Sequence, residues 1–389
     1  MLKRLIKSCC FWFIGLISLI RFARQRPIYI NIIGDIYSES GLGSVARQII
    51  ESIDGLGDGV EYQLINLPMS LGSRQHNKVS IKHVGTKLNP GINLFIGNPD
   101  ILLRAFVKLN TINLLQNYNI GIWFWELDSI PEPWRNTENL IDEVWAQSEF
   151  VATVFRGASK KVFVMPFALD GVLPSNRPRS GFGIPDDAFA FLFTFDFLSH
   201  IKRKNPVAVI DAFLSAFTGR RDILLIIKAV NGSRVPDELK KLKEQISLHQ
   251  NIHLVDEYLS YEDLLCLIKS ANCYVSLHRS EGLGLGMAEA MKLGKAVIAT
   301  GYSGNMEFMN QENALLVDYC LVPVSRDDYP YGGDSMWADP DISSAISKMN
   351  YATDNPDNIA KLGKQALASM EKYNSSNQRK WIAKRLFKT

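Results

Sequence analysis

This chain of 389 residues has few of the short signatures that declare a chemistry outright. Its five cysteines, Cys9, Cys10, Cys266, Cys273 and Cys320, form no C-x-x-C pair, so neither a zinc ribbon nor a disulfide framework is indicated. A reducing compartment is the simple reading. No glycine loop ends in G-K-[ST], which excludes a Walker A phosphate loop. No His/Asp cluster demands a metal ion. A charge excess is also missing: 43 Lys and Arg against 40 Asp and Glu leave +3. A nucleic-acid partner would need a concentrated basic face, so none is expected. Hydrophobic residues make up 47% and charged ones 21%, ordinary for a globular chain and wrong for a disordered or multi-span one. The length allows two domains with separate cores.

The one unusual stretch is "MLKRLIKSCCFWFIGLISLIRFARQRP". Its apolar run, Cys9 to Ile20, is flanked by Lys3, Arg4 and Lys7 before and Arg21, Arg24 and Arg26 after. A spanning helix wants about 20 apolar residues, and this run is shorter. "RFARQRP" is a poor signal-peptide cleavage site. On a helical wheel Arg4, Lys7, Ser8, Gly15 and Ser18 form one narrow stripe, which suits a helix lying in a membrane interface with its basic ends on anionic lipid. A single span, a buried leading helix and a start codon placed too early are the alternatives. Residues 1–26 are accordingly read as an anchoring segment, placing the protein in the cytoplasm, peripheral on the cytoplasmic face of a membrane.

After Pro27 short apolar runs alternate with amphipathic stretches. Strands are expected at 28–33, 61–67, 92–97, 120–125, 142–147 and 161–167, with helices such as "SVARQIIESI" and "SEFVATVFR" between them. A second set of strands is expected at 188–195, 223–228, 251–255, 273–277, 296–300 and 314–317, with helices such as "PVAVIDAFLSAF", "SYEDLLCLIKSA" and "GMAEAMKL". This alternation predicts two doubly wound α/β domains facing across a cleft. The expected boundaries are 27–168, a Pro- and Gly-rich linker at 169–187, a second domain at 188–365, and a basic amphipathic helix at 366–389 that packs back on the first domain.

Two glycine loops are candidates for phosphate. "EGLGLGMAE" follows a strand and opens a helix, the arrangement whose free N–H groups and dipole favour an anion. Its spacing is G-x-G-x-G, so the dinucleotide fingerprint fails. "GDIYSESGLGSVARQ" fits the looser G-x-G-x-x-A form at Gly41, Gly43 and Ala46, but the loop is too long for that motif's tight turn, and Asn66 ends the next strand where an acid is needed. A dehydrogenase is therefore disfavoured. In the first loop Glu281 and Glu289 bracket the glycines, which makes little sense for bare phosphate. It fits a sugar nucleotide, whose diphosphate lies between two polyhydroxylated rings that carboxylates can bind. The bland alternative is a solvent-facing Glu289 and a Glu281 that caps the helix.

These residues resemble the retaining glycosyltransferases of the GT-B fold, family 4 (group 1). "EGLGLGMAE" matches the E-x7-E motif of that family and "EAMKLGKAVIATGYSGNMEF" continues it. "HIKRKNPVAVIDAFLSAF", "GIWFWELDSIPEPW", "EVWAQSEFVATVFR", "NALLV" and "WADPD" look like members too, so the resemblance covers about residues 28–345. It implies transfer of a sugar from a nucleotide-diphosphate sugar to an acceptor hydroxyl with retained configuration, with no cofactor and no metal requirement. Glu281 would meet the transferred sugar and Glu289 the ribose. Backbone N–H groups at Gly282, Leu283, Gly284 and Leu285 would meet sugar and diphosphate, and Lys204 with Arg203 would neutralise the leaving group. From the first domain, Gly41 and Gly43 would approach the diphosphate, and Glu126 or Asp128 would line the wall where many relatives carry a histidine. A second departure is Asp196-Phe197, where relatives often have arginine. With the anchoring segment, the acceptor is expected to be a glycan or lipid-linked glycan in surface polysaccharide synthesis. Competing readings are a glycosidase, which also uses paired carboxylates, a nucleotide-sugar epimerase, and a non-catalytic GT-B binding or scaffold protein.

Overall fold

The computed structural model describes residues 29–57, 60–68, 84–109, 111–157, 161–170 and 172–387. The anchoring segment expected at 1–26 and the histidines His76 and His83 lie outside the described residues. Among the described residues, no helix is long and apolar enough to cross a membrane.

The chain divides into two compact units, Met1–Ala168 with Tyr373–Thr389, and Leu169–Lys372. The first is built on β1 (Ile30–Gly34), α1 (Gly41–Asp54), β2 (Tyr62–Asn66), β3 (Ile92–Gly97), α2 (Asp100–Lys108), α3 (Thr111–Gln116), β4 (Tyr118–Trp123), β5 (Glu143–Ala146), α4 (Glu149–Arg156) and β6 (Val162–Val164). Its strands form one parallel sheet in the order β2-β1-β3-β4-β5-β6. Parallel strands covered on both faces read as continuous apolar runs, and β3 is buried at every position. One polar level interrupts that rule. Asn31, Asn93 and Asn119 are in register on β1, β3 and β4, and all three are fully buried. Asn31 donates to Asn93 and Asn93 to Asn119, each at 2.8 Å, while Gln63 on β2 donates to Asn31. A strand slipped by one residue would leave these amides without partners, so the ladder specifies register as strongly as the apolar faces do.

The second unit runs through β7 (Phe189–Asp196), α5 (Ile201–Lys204), α6 (Pro206–Phe217), β8 (Ile223–Val230), α7 (Pro236–Ile246), β9 (Ile252–Asp256), α8 (Tyr261–Ser270), β10 (Cys273–Ser276), α9 (Leu285–Lys292), β11 (Ala296–Thr300) and β12 (Leu315–Val317). An antiparallel hairpin of β13 (Tyr319–Pro323) and β14 (Met336–Pro340) follows, then α10 (Ile342–Asp354) and α11 (Pro356–Ser369). The sheet order β12-β11-β10-β7-β8-β9 makes β7 and β10 neighbours although four helices and two strands separate them in sequence. Strand order reverses there. In an open α/β sheet such a switch point opens a crevice beyond the carboxyl ends of the strands, where ligands bind.

A last helix, α12 (Ser375–Leu386), completes the first unit. Trp381 meets Trp145 edge to face at 5.0 Å, Tyr373 stacks on Phe167 at 4.2 Å, and Gln378 accepts from Ser52 and donates to the Pro166 carbonyl. One expectation needs correction, and one element was unforeseen. Gly41 and Gly43 are the first turn of α1 and not a loop, because Ser40 caps the helix by accepting from the Gly43 N–H. A Cβ at Gly43 would lie 2.1 Å from the Ser38 carbonyl oxygen, so the glycine there serves close packing of the incoming turn. The hairpin of β13 and β14 was not expected from the pattern, since four of the five β13 positions are exposed and no inside-outside alternation marks them.

Candidate active site

The switch point between β7 and β10 gathers most of the charged residues singled out in the sequence. Strand β7 ends at Asp196, whose carboxylate accepts from the Leu198 N–H at 2.9 Å and from Asn231 at 2.8 Å. Its position, where relatives often carry arginine, is thus taken by a capping acid. The chain then turns through His200, at φ +62°, into the four-residue helix α5, and leaves it through Asn205, at φ +56°. Left-handed backbone at a residue other than glycine costs about 1–3 kcal/mol and persists only where the surroundings hold it. Between these two residues sit Arg203 and Lys204.

Both cations reach Glu281. Lys204 Nζ lies 2.5 Å from one carboxylate oxygen and Arg203 Nη1 2.9 Å from the other. Glu281 is 7% exposed. Burial alone would raise its pKa, but the charges of Arg203 and Lys204 override it and hold the carboxyl at about 2. The bland reading of Glu281 as a helix cap is set aside: the cap position belongs to Gly284, which has no side chain to offer. The two cations differ in access. Arg203 is 4% exposed and also donates to the Ser280 carbonyl at 2.8 Å, so it braces the loop, whereas the Lys204 side chain is 20% exposed.

The loop from Glu281 to Gly284 is shaped from behind. Ser303, at φ +77°, accepts from the Glu281 N–H at 2.8 Å, and the Gly304 N–H donates to the Glu281 carbonyl at 2.9 Å. A Cβ at Gly304 would lie 2.1 Å from the Gly282 carbonyl oxygen, which no relaxation of a side chain could relieve. Gly284, at φ +92°, turns the chain into α9. No side chain caps α9, and a helix N-terminus of this kind offers N–H groups and a dipole that favour an anion. Leu285, expected in the loop, is already helical. Beneath the start of α9 Thr194 and Tyr274 share a hydrogen bond of 2.6 Å, and a Cβ at Gly286 would meet the Tyr274 hydroxyl at 2.5 Å.

Glu289 lies one turn further along α9 and is half-buried. Burial pushes it up to about 7, against a hydrogen bond from the Tyr261 hydroxyl at 2.8 Å that pulls the other way. Nothing in the local pattern around Tyr261, the first residue of α8, ties it to a carboxylate 28 positions away. His278 is fully buried, with Ser276, Asn305 and the Tyr302 carbonyl around its ring, and burial lowers its pKa. It is a packed core histidine.

In the first unit, Gly41 and Gly43 open α1, and Glu126 lies in the irregular segment after β4, between the buried Trp125 and Leu127. Among the described residues no group of three or more His, Cys, Asp or Glu side chains is arranged to hold a metal ion.

Comparison with known proteins adds to this geometry. Residues 194–324 match the family model "Glycosyl transferases group 1". The fold resembles HepE from Anabaena, solved with UDP and glucose, with a TM-score of 0.65 at 15% identity over 93% of this chain and 100% of that one. It also resembles a sucrose-phosphate synthase from Thermosynechococcus elongatus (TM-score 0.67, 14% identity, 93% and 98% covered). A glycosyltransferase from Rickettsia africae gives 0.67 at 16% identity, covering 95% and 100%. Such identities establish the fold alone. No curated protein matches the sequence. The matched span includes α5, the glycine loop and α9, and both units are parallel doubly wound sheets. The chain thus has a two-unit α/β fold of the GT-B type, and its residues 194–324 match the group 1 glycosyltransferase model.

Proposed function

We propose that the protein transfers a sugar from a nucleotide-diphosphate sugar to an acceptor hydroxyl with retention of configuration. The observation that carries this reading is the Glu281 carboxylate clamped by Arg203 and Lys204 beside an uncapped helix N-terminus. As the glycosidic bond breaks, negative charge grows on the diphosphate oxygen. Lys204, the more accessible of the two cations, meets that charge, and the loop N–H groups with the α9 dipole share it. The carboxylate of Glu281, ionised over the whole physiological range, accepts from hydroxyls of the transferred sugar. Glu289 accepts from the ribose hydroxyls. Because Lys204 and oriented N–H groups already meet the charge of the leaving group, turnover is expected to persist in a chelator. Retention follows if the acceptor attacks from the face the diphosphate leaves.

UDP is the first nucleotide to test, since HepE holds it on the same fold. Calorimetry with a panel of nucleoside diphosphates and their sugars, on wild type and Glu289→Ala, addresses the reading directly. Selective binding of one donor, weakened by the substitution, supports it; no binding by either protein removes the donor site. The apolar segment at 1–26 supports a lipid-linked or envelope glycan as acceptor and a place at the cytoplasmic membrane face. Equal turnover of a soluble acceptor with and without residues 1–26 would count against that part.

The pH dependence of donor binding follows from Glu289. Its neutral form is the one that burial favours, so its contribution to stability is fully present below pH 4.5 and fades as pH rises through about 7. Ligand binding has the opposite sign, because two ribose hydroxyls need the ionised carboxylate. Nucleotide affinity should rise by up to about tenfold per pH unit below 7 and level off above it. In Glu289→Gln the slope should vanish, and an unchanged slope there would assign the titration elsewhere.

A further inference from the structure

The β13–β14 hairpin lies largely past the end of the family match, yet it is tied to the helix that carries the cations. Arg279 makes most of the connection. Its Nη2 and Nε atoms donate to Asp339 on β14 at 2.8 and 3.2 Å, and its Nη1 donates to the Lys202 carbonyl at 2.9 Å. Its own backbone N–H donates to the Arg203 carbonyl at 2.8 Å, and its carbonyl accepts from Ala338 at 2.9 Å. Trp337 lies against the guanidinium, 5.6 Å from ring centre to Cζ. The second connection is aromatic: Tyr329, at the far end of the hairpin and 6% exposed, packs its ring 4.6 Å from that of His200.

His200 is the left-handed residue whose carbonyl accepts the N–H groups of both Arg203 and Lys204. Its conformation is strained, and something must hold it. The loop 324–335 is itself compact enough to do so. Val324, Tyr329 and Ser335 are buried in it, and it is closed by bonds from Val324 to Ser335, Asp328 to Ser325 and Gly332 to Tyr329.

We infer that the hairpin is a positioning device for the donor site, with Tyr329 and Arg279 as the residues that hold the α5 turn so that Lys204 stands where a leaving diphosphate needs it. The inference rests on the donor-site reading above and adds to it residues that touch no substrate. The Arg279–Asp339 pair is partly exposed, with Asp339 at 45%, so it contributes little to stability and its value is geometric. A shift of Lys204 by about 1 Å would cost up to about 100-fold in rate.

The experiment compares UDP with UMP on wild type, Tyr329→Ala, Tyr329→Phe and Asp339→Asn, with thermal unfolding and donor turnover on each. Tyr329→Ala should weaken UDP about tenfold and lower kcat, while UMP affinity stays at the wild-type level. Tyr329→Phe should restore both, and Asp339→Asn should move the same way as Tyr329→Ala by a smaller factor. Should Tyr329→Ala fail to fold, Asp339→Asn carries the comparison alone. Equal losses for UDP and UMP, or a lowered Tm with unchanged UDP affinity and kcat, would overturn the inference. Failure of wild type to bind any nucleoside diphosphate would overturn the donor-site reading and this inference together. Wild-type binding with no mono- versus diphosphate difference among the variants overturns this inference alone.

Discussion

Lys204→Ala is expected to lower kcat by about 100- to 1000-fold, the range seen when one group stabilising a developing oxyanion is removed. The size follows from its place. Arg203 is buried and spent on Glu281 and the Ser280 carbonyl, so Lys204 is the member of the pair whose side chain keeps access to solvent. It can keep its bond to Glu281 in the resting protein and still face a ligand oxygen. Loss of the ammonium removes charge stabilisation that grows as the bond breaks, so kcat should fall more than nucleoside affinity. The fold should tolerate the change, since Glu281 keeps Arg203 at 2.9 Å. Turnover of the donor found by calorimetry, with a Tm for each protein, tests this. A loss under about tenfold with an unchanged Tm would show that the loop N–H groups carry the leaving group and Lys204 serves only to brace Glu281.

The second large effect concerns stability. Arg385→Ala is expected to destabilise the first unit by about 3–5 kcal/mol, as removal of one partner from a buried ion pair does. Glu143, on β5, is 1% exposed, and Arg385 lies 2.7 Å away with its guanidinium over the Phe163 ring. Burial pushes Glu143 up, yet hydrogen bonds from Arg385, Tyr118 and Trp145 and the charge of Arg385 bring it net below the ordinary value of 4.5. A depressed carboxylate contributes stability that is present above 4.5 and lost as pH falls through its folded value. The deficit of Arg385→Ala should thus be largest near neutral pH and shrink in acid, where the orphaned carboxyl takes a proton. Chemical denaturation at several pH values measures it. A deficit that stays constant with pH would mean that the lost packing on Phe163 matters and the charge does not.

Much of this architecture was legible because buried parallel strands announce themselves. "ILLIIK" and "INLFIG" are apolar at almost every position, and each is a strand within two residues of its expected limits. Glu281 and Glu289 were legible by spacing, since a glycine loop fenced by acids has few structural uses. The division of labour between Arg203 and Lys204 was not, because adjacent residues on one short helix differ in exposure only through what packs above them. Tyr261 and Tyr329 were invisible for a related reason. Each acts on a residue far along the chain, through an aromatic ring or hydroxyl whose local sequence carries no periodic signal. In the hairpin, β13 was hidden by its exposure, which removes the alternation that marks a half-buried strand.

The return of residues 373–387 to the first unit has a consequence for synthesis. On the ribosome the second unit, Leu169–Lys372, is complete before the helix that covers Trp145 and pairs Glu143 has been made. Until then the first-made sheet carries an open aromatic face and a lone acid. Maturation should therefore run against the order of translation, with the later unit closing first and the earlier one last. Nascent chains stalled near residue 372 should expose a surface that chaperones recognise, and chains released there should be cleared faster than their length would suggest.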